Sequence, residues 1–244
     1  IGAALLKRLS RYPCEILAVD RDAVEPSPYM NGKAQITTLQ ADISTESGNV
    51  LVFDTAQQTI GGIDIYIANA GFAHYGLAQS LDWGGMEAMF KVNVMAPLYV
   101  TTQMQQNNPE TPYMVVVTAS AMAHLALPGY AHYAATKAAL HRFAEAYHHE
   151  LPAHGHLLMV YPIATRTRFF EKHTTADAPR PFPSQSAGFV AGRIINGIKK
   201  NRRQVKPSPG FKVYWAFARI IPPARRIYTA LSALQLRRWL RKQP

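Results

Sequence analysis

Val116-Val-Thr-Ala-Ser120-Ala-Met-Ala-His-Leu-Ala-Leu-Pro-Gly-Tyr-Ala-His-Tyr133-Ala-Ala-Thr-Lys137-Ala-Ala-Leu140 is the stretch on which the reading of this sequence turns. A Tyr and a Lys four positions apart share one face of a helix. An ammonium held near a phenol favours the phenolate, so Lys137 is expected to lower the pKa of Tyr133. A Tyr tuned downwards can exchange a proton with an alcohol or a carbonyl near neutral pH. Ser120 closes an apolar run thirteen residues earlier, where a strand would deliver its hydroxyl beside that Tyr. Tyr-x-x-x-Lys alone arises by chance in many helices. The Ser at this offset, and the order of elements around it, give the pattern its weight.

Working outward, apolar runs and helical periodicity alternate along the chain. Glu15–Asp20, residues 63–68, Tyr113–Thr118, His156–Tyr161 and a short piece near 204–206 read as strands. Residues 46–60, about 84–107, 131–151 and 186–200 read as helices, the third stopped by Pro152. This alternation predicts an α/β fold with a doubly wound parallel sheet and right-handed crossovers. Residues 174–186, with Pro179, Pro181 and Pro183, read as a loop. A chain of 244 residues, 48% hydrophobic and 17% charged, suits one such domain with a large core. Cys14, the single cysteine, is expected to be a buried, inert thiol beside its strand. No apolar run is long enough to span a bilayer.

Three more stretches fall into register with the opening one. Asn69-Ala70-Gly71 follows the run Ile63–Ala68; Asn93 stands in Lys91-Val-Asn-Val-Met-Ala-Pro97, 27 residues before Ser120; Asp42 stands in Leu39-Gln-Ala-Asp-Ile43. Together with Ser120, Tyr133 and Lys137 they resemble the short-chain dehydrogenase/reductases, from residue 1 to about 206. The resemblance implies a Rossmann-like fold and NAD(P)-dependent interconversion of an alcohol and a carbonyl. It makes Tyr133 the general acid/base and Ser120 the hydrogen-bonding partner of the substrate oxygen. Lys137 would bind the nicotinamide ribose, and Asn93 would hold a water that links Lys137 to solvent. Further cofactor contacts are expected at Gly2, Asp20, Arg21, Asp42, Asn69, Ala70, Gly71, Pro162, Thr165 and Thr167. Asp20, at a strand end, favours NAD by repelling a 2′-phosphate, while Arg21 beside it would favour NADP; the reading leans to NAD.

Tyr161-Pro-Ile-Ala-Thr-Arg-Thr167 resembles the family's Pro-Gly-x-x-x-Thr segment, except that Ile163 stands where Gly is usual. If φ must be free there, a β-branched residue restricts it. The family also opens with a strand and a turn, Thr-Gly-x-x-x-Gly-x-Gly, ahead of its first helix. This chain begins with Ile1-Gly2, so the expectation is an N-terminal truncation that alone folds and binds dinucleotide poorly.

Substrate selection is expected in the flap at 168–186, through Phe169, Phe170 and Phe182, with Arg168, Lys172 and Arg180 nearby. Its apolar character suits a lipid-like, steroid-like or aromatic substrate; the same rings would serve equally to seat the loop. Metal binding is not expected. His149-Glu-Leu-Pro-Ala-His154 has one residue too many for a zinc motif, and Pro152 breaks the helix it needs. His148 and His149 read as exposed helix residues, and His124 and His132 as packing residues that could touch substrate.

The net charge of +11 is unevenly placed. Residues 178–244 carry 15 of the 26 Lys and Arg and no acid, leaving 11 against all 15 acids before them, a net of −4. Residues 1–207 therefore read as the catalytic domain, and 208–244 as a basic tail in which Trp, Tyr, Phe and Leu alternate with Arg and Lys. Such a tail suits an anionic membrane surface, which would make this a cytoplasmic enzyme held peripherally at a membrane. Docking on the enzyme's own body and an oligomer contact remain open for it, and nucleic acid suits it less well. By resemblance a homo-oligomer is expected. A non-catalytic dinucleotide-binding scaffold is the alternative function.

Overall fold

In chain order the elements are α1 (Gly2–Leu9), β1 (Glu15–Asp20), β2 (Gln35–Gln40), α2 (Glu46–Ile60), β3 (Ile65–Ala68) and α3 (Trp83–Phe90). Then come α4 (Ala96–Asn107), β4 (Tyr113–Thr118), α5 (Ala131–Tyr147), β5 (Gly155–Val160), β6 (Thr165–Arg166), β7 (Gln185–Ser186), α6 (Ala187–Lys199), β8 (Gln204–Val205), α7 (Pro209–Ile220) and α8 (Pro222–Leu240). This computed structural model describes residues 1–26, 29, 32–167, 169, 179, 181–220 and 222–242, without the side chains of 212, 217–220 and 222–227.

Local chemistry sets the helix boundaries. Thr45, Asp82 and Ser186 accept the amides of Gly48, Gly85 and Phe189, capping α2, α3 and α6. Gly61 closes α2 in the left-handed region that a residue without Cβ enters freely. The long helix expected over 84–107 is interrupted: Lys91–Met95 between α3 and α4 forms a π turn. Such turns are rare and concentrate at functional sites.

Among the described residues every strand pairing is parallel. β4 lies between β3 and β5, β8 adds beyond β5, and all six residues of β4 are buried, as a central strand covered on both faces must be. One face packs Val115, Val117, Leu157 and Met159 against α4 and α5 through Met104, Leu140 and Tyr147. The other packs Val116, Leu158 and Val160 against α1 and α6 through Leu5, Val190 and Ile194. β1 pairs only with β2 among the described residues, so this pair and the four-stranded sheet are separate ladders. β1 and β3, one at an end of each ladder, are only half-buried along most of their length.

Cys14 corrects the sequence reading: it is exposed just before β1, its Sγ directed to the Leu9 carbonyl at 3.8 Å. The chain reaches β1 through Ser10-Arg-Tyr-Pro13, a turn that turns this position away from the core. His148 is half-buried rather than exposed. Ile163 is not in the positive-φ region, so the residue that replaces the usual Gly introduces no backbone strain there.

Candidate active site

Because the strands run parallel, their carboxyl ends share one edge, and the crevice outside that edge is where open α/β sheets bind ligands. β1 ends at Asp20, β3 leads into Asn69-Ala70-Gly71, β4 into Ser120 and β5 into Pro162. The structure therefore gathers most of the predicted residues.

Asn93 sits in the π turn with no solvent exposure. Its Oδ1 accepts the Phe72 amide at 3.0 Å, and its Nδ2 donates to the Phe72 carbonyl at 2.8 Å and to Thr136 Oγ1 at 3.2 Å. The side chain thus ties the loop after β3 to α5. Gly71 is required by a close approach: a Cβ there would lie 2.9 Å from Asn93 Oδ1 and 3.6 Å from Lys137 Nζ. Lys137 is 3% exposed and donates to the Thr118 carbonyl at 3.0 Å. Its Nζ stands 5.7 Å from the Tyr133 ring centroid. Ser120 Oγ accepts the Met122 amide at 3.1 Å, and its hydroxyl lies close enough to Tyr133 to favour the phenolate. Asn93, Ser120, Tyr133 and Lys137 thus form one buried group.

The electrostatics correct one expectation. Burial pushes the Tyr133 phenol up to about 12, with the Ser120 hydroxyl nearby drawing it back only in part. Burial also pushes the Lys137 ammonium down to about 7. Desolvation opposes both charged forms, so Lys137 does not bring the phenol below its ordinary value here. The four residues form a hydroxyl pair able to hold an oxygen atom and exchange a proton, beside an amine that is half protonated near neutrality.

The expected cofactor residues fall along the same edge. A Cβ on Gly2 would meet Asn69 Nδ2 at 3.1 Å, which sets the N-terminus of α1 beside the loop of Asn69, Ala70 and Gly71. The Asn69 side chain faces Thr118 Oγ1 at 3.5 Å. Asp20 accepts the Asp22 amide. Asp42 accepts the Ser44 amide, and that bond, with a smaller pull from Arg21, holds its carboxyl below the usual range. Pro162 accepts the Ala121 amide at 2.9 Å. Thr165 is buried, its hydroxyl donating to the Ile163 carbonyl, and Thr167 Oγ1 accepts the Phe169 amide. Lying at the strand ends, these groups have the chemistry to hold a dinucleotide there.

Phe169 packs on Tyr133 with ring centroids 5.7 Å apart. Phe182 is 83% exposed, and its carbonyl accepts the Tyr228 hydroxyl at 3.0 Å. Phe170, with Arg168, Lys172 and Arg180, lies outside the described residues. His132 Nε2 meets the Ala78 carbonyl, and His124 stacks on Trp215, His141 and Tyr161.

Several contributors carry no sequence signal. Tyr75 packs on Tyr130 at 4.8 Å and on Trp239 at 5.0 Å, and Tyr130 on Tyr133 at 6.4 Å. Tyr214, Trp215, Tyr228, Leu236 and Trp239, all in the tail, join this cluster. The tail's rings therefore dock on the body of this same chain. Among the described residues no helix is long and apolar enough to cross a membrane.

Residues 1–178 match the family model described as short chain dehydrogenase. 11-beta-hydroxysteroid dehydrogenase 1A of Arabidopsis thaliana is 25% identical over 205 residues, covering 78% of this chain and 59% of that protein. The chain thus spans less than two thirds of this relative's length. The fold is shared with a short-chain dehydrogenase from Sphingobium yanoikuyae in complex with NADPH, at a TM-score of 0.78, 21% identity, and coverage of 92% of this chain and 89% of that one. It is shared too with a short chain dehydrogenase/reductase from Burkholderia phymatum in complex with NAD, at 0.74 and 16%, covering 88% and 87%. Matched over residues 1–178 and built on this parallel sheet, the chain belongs to the short chain dehydrogenase family.

Proposed function

We propose that the protein is an NAD(P)-dependent oxidoreductase interconverting an alcohol and a carbonyl on an apolar substrate. The observation that carries this reading is the burial of Asn93, Ser120, Tyr133 and Lys137 as one group, with Lys137 Nζ 5.7 Å from the Tyr133 ring and both Asn93 and Lys137 lining the space at Gly71. A nicotinamide held along the strand ends would supply the hydride chemistry at the substrate carbon. Ser120 and Tyr133 hold the substrate oxygen, and in reduction the phenol proton passes to that oxygen. Lys137, balanced between its two protonation states near pH 7, returns a proton towards Tyr133. Asn93 holds the Phe72 loop and α5 at fixed spacing, so Lys137 stays at that distance.

NAD is favoured over NADP. Asp20 would repel a 2′-phosphate, and the Arg21 charge acts on Asp42. Residues 1–207 serve as the catalytic domain and 208–244 as a tail packed on it, and the enzyme works as a homo-oligomer, as the family resemblance implies. The test is Tyr133→Phe: nearly all turnover of a ketone panel is lost while nucleotide binding, read by fluorescence, persists. Turnover near the parent level would overturn the assignment of Tyr133; a parent protein that binds nucleotide but turns over no member of the panel would make a non-catalytic scaffold the better reading.

A second role for the tail, on an anionic membrane, is supported by Val213, 71% exposed, and by the exposed Arg237, Arg238, Arg241 and Lys242. Co-sedimentation with anionic liposomes, equal with and without these cations, would exclude it.

A further inference from the structure

A cavity of about 370 Å³ lies between α8 and the body, within the range of small-molecule sites. Its walls include Tyr75, Tyr130, Phe182, Tyr228, Leu231 and Arg238. Tyr130 belongs both to this cavity and to the packing around Tyr133, its ring centroid 6.4 Å from that of Tyr133. The wall is held in place by the Tyr228 hydroxyl on the Phe182 carbonyl and by Trp239 on Tyr75. Along its length the lining is aromatic and aliphatic, as an apolar skeleton requires. From α8 the lining takes Ser232, Gln235 and Arg238 besides Tyr228, Leu231 and Leu234, and Arg237, Arg241 and Lys242 stand exposed close by in sequence. No acid occurs anywhere from residue 178 onward to neutralise them. None of the ion pairs among the described residues involves Arg238.

We infer that this cavity binds the far end of the substrate, and that this end carries an oxyanion, a carboxylate or a phosphate, which Arg238 receives. The inference rests on the proposed reading of Tyr133 as the group facing the carbonyl. It adds a polarity to the substrate: carbonyl at Tyr133, apolar skeleton past Tyr130 and Tyr75, anion at α8. A guanidinium is suited to either anion, because its paired donors match two oxygens. A tail rich in cations also steers an anionic molecule towards the opening before contact.

The test compares oxoundecanoate, its methyl ester and the corresponding keto phosphate as substrates of the intact protein and of Arg238→Gln. The expected result is a KM for the carboxylate at least about tenfold below that of the ester, with the ratio collapsing towards one in Arg238→Gln. The same comparison with the phosphate assigns the anion. An equal KM for acid and ester in the parent protein, or a ratio unchanged in the variant, would overturn the inference. Binding of oxoundecanoate to Tyr133→Phe, followed by tryptophan fluorescence, does not depend on turnover. Retained, Arg238-dependent binding without turnover in the parent means that the catalytic reading fails and the anion site stands. Turnover of the ester with no preference for the acid means the reverse.

Discussion

Replacing Lys137 by Met should stabilise the fold while abolishing turnover. The ammonium is carried from an ordinary pKa of 10.5 down to about 7 by burial. At about 1.36 kcal/mol per unit, holding this residue inside costs the folded state roughly 4 kcal/mol at pH 7. The sign follows from proton counting: below pH 10.5 the unfolded chain binds a proton that the folded chain takes up only near pH 7. The penalty is therefore absent above pH 10.5, grows as pH falls, and is complete below 7. Against it stands the bond from Nζ to the Thr118 carbonyl at 3.0 Å. Leaving that carbonyl unpaired costs about 1–3 kcal/mol. The methionine fills most of the vacated volume, so the net gain at pH 7 is about 2 kcal/mol. For a protein of this size that raises Tm by about 4–8 °C. Circular-dichroism melts of both proteins from pH 6 to 10 would show the gain at neutral pH shrinking, then reversing, as pH rises. A variant equally or less stable at pH 7, or a difference independent of pH, refutes the reasoning.

Gly71→Ala places a methyl 2.9 Å from Asn93 Oδ1; we expect a loss of about 1–3 kcal/mol of stability and a fall in kcat of tenfold or more, and unchanged kinetics would count against the close approach. Asn93→Ala leaves both polar groups of Phe72 without their partner, so Tm should drop more than for an exposed Asn→Ala control; an equal drop would show the amide to be idle. His124 is held down to about 4, first by burial and then by the charges of His141 and Lys206, with Glu145 opposing and Arg142 adding to the depression. Its contribution is complete above pH 6.5 and is lost as pH falls through 4, by about 1–2 kcal/mol after allowance for its partial exposure; since Trp215 stacks on it at 4.8 Å, tryptophan emission should change over the same window, and a flat emission profile would dismiss the coupling. Asp20→Ala should narrow the preference for NAD over NADP, measured as a ratio of kcat/KM; a ratio that does not move would remove Asp20 from cofactor selection.

Ser120, Tyr133, Lys137 and the loop at Asn69–Gly71 were legible because their roles depend on spacing along elements that the chain itself announces. A strand end and one helix turn suffice to bring a Ser, a Tyr and a Lys together. Asn93 was legible by pattern, but the π turn that holds it was not, since nothing in Lys91–Met95 distinguishes it from ordinary helix. The direction of the Tyr133 pKa was misread because helix spacing reports which groups are neighbours, while burial depends on cover brought by α7, α8 and the loop at Phe169. Cys14 was misplaced because its strand begins one residue later than its own position. The tail's composition, rings interleaved with cations, fits a lipid surface and a protein surface equally. Only the rings that receive it, Tyr75 and Tyr130, separate the two, and they come from segments more than fifty residues apart.

The placement of α8 has a consequence for how the protein is made. Synthesis proceeds from the N-terminus, and Trp239 emerges about a hundred residues after Lys137, on the order of 5–20 seconds later. The proton-handling group can therefore assemble on the nascent chain while its outer wall does not yet exist. In that interval Tyr75 and Tyr130 stand bare, a sticky aromatic patch beside a finished set of polar residues. Closure of the wall is then a separate, late event, and a chain stalled before it would expose to chaperones the surface that α8 hides.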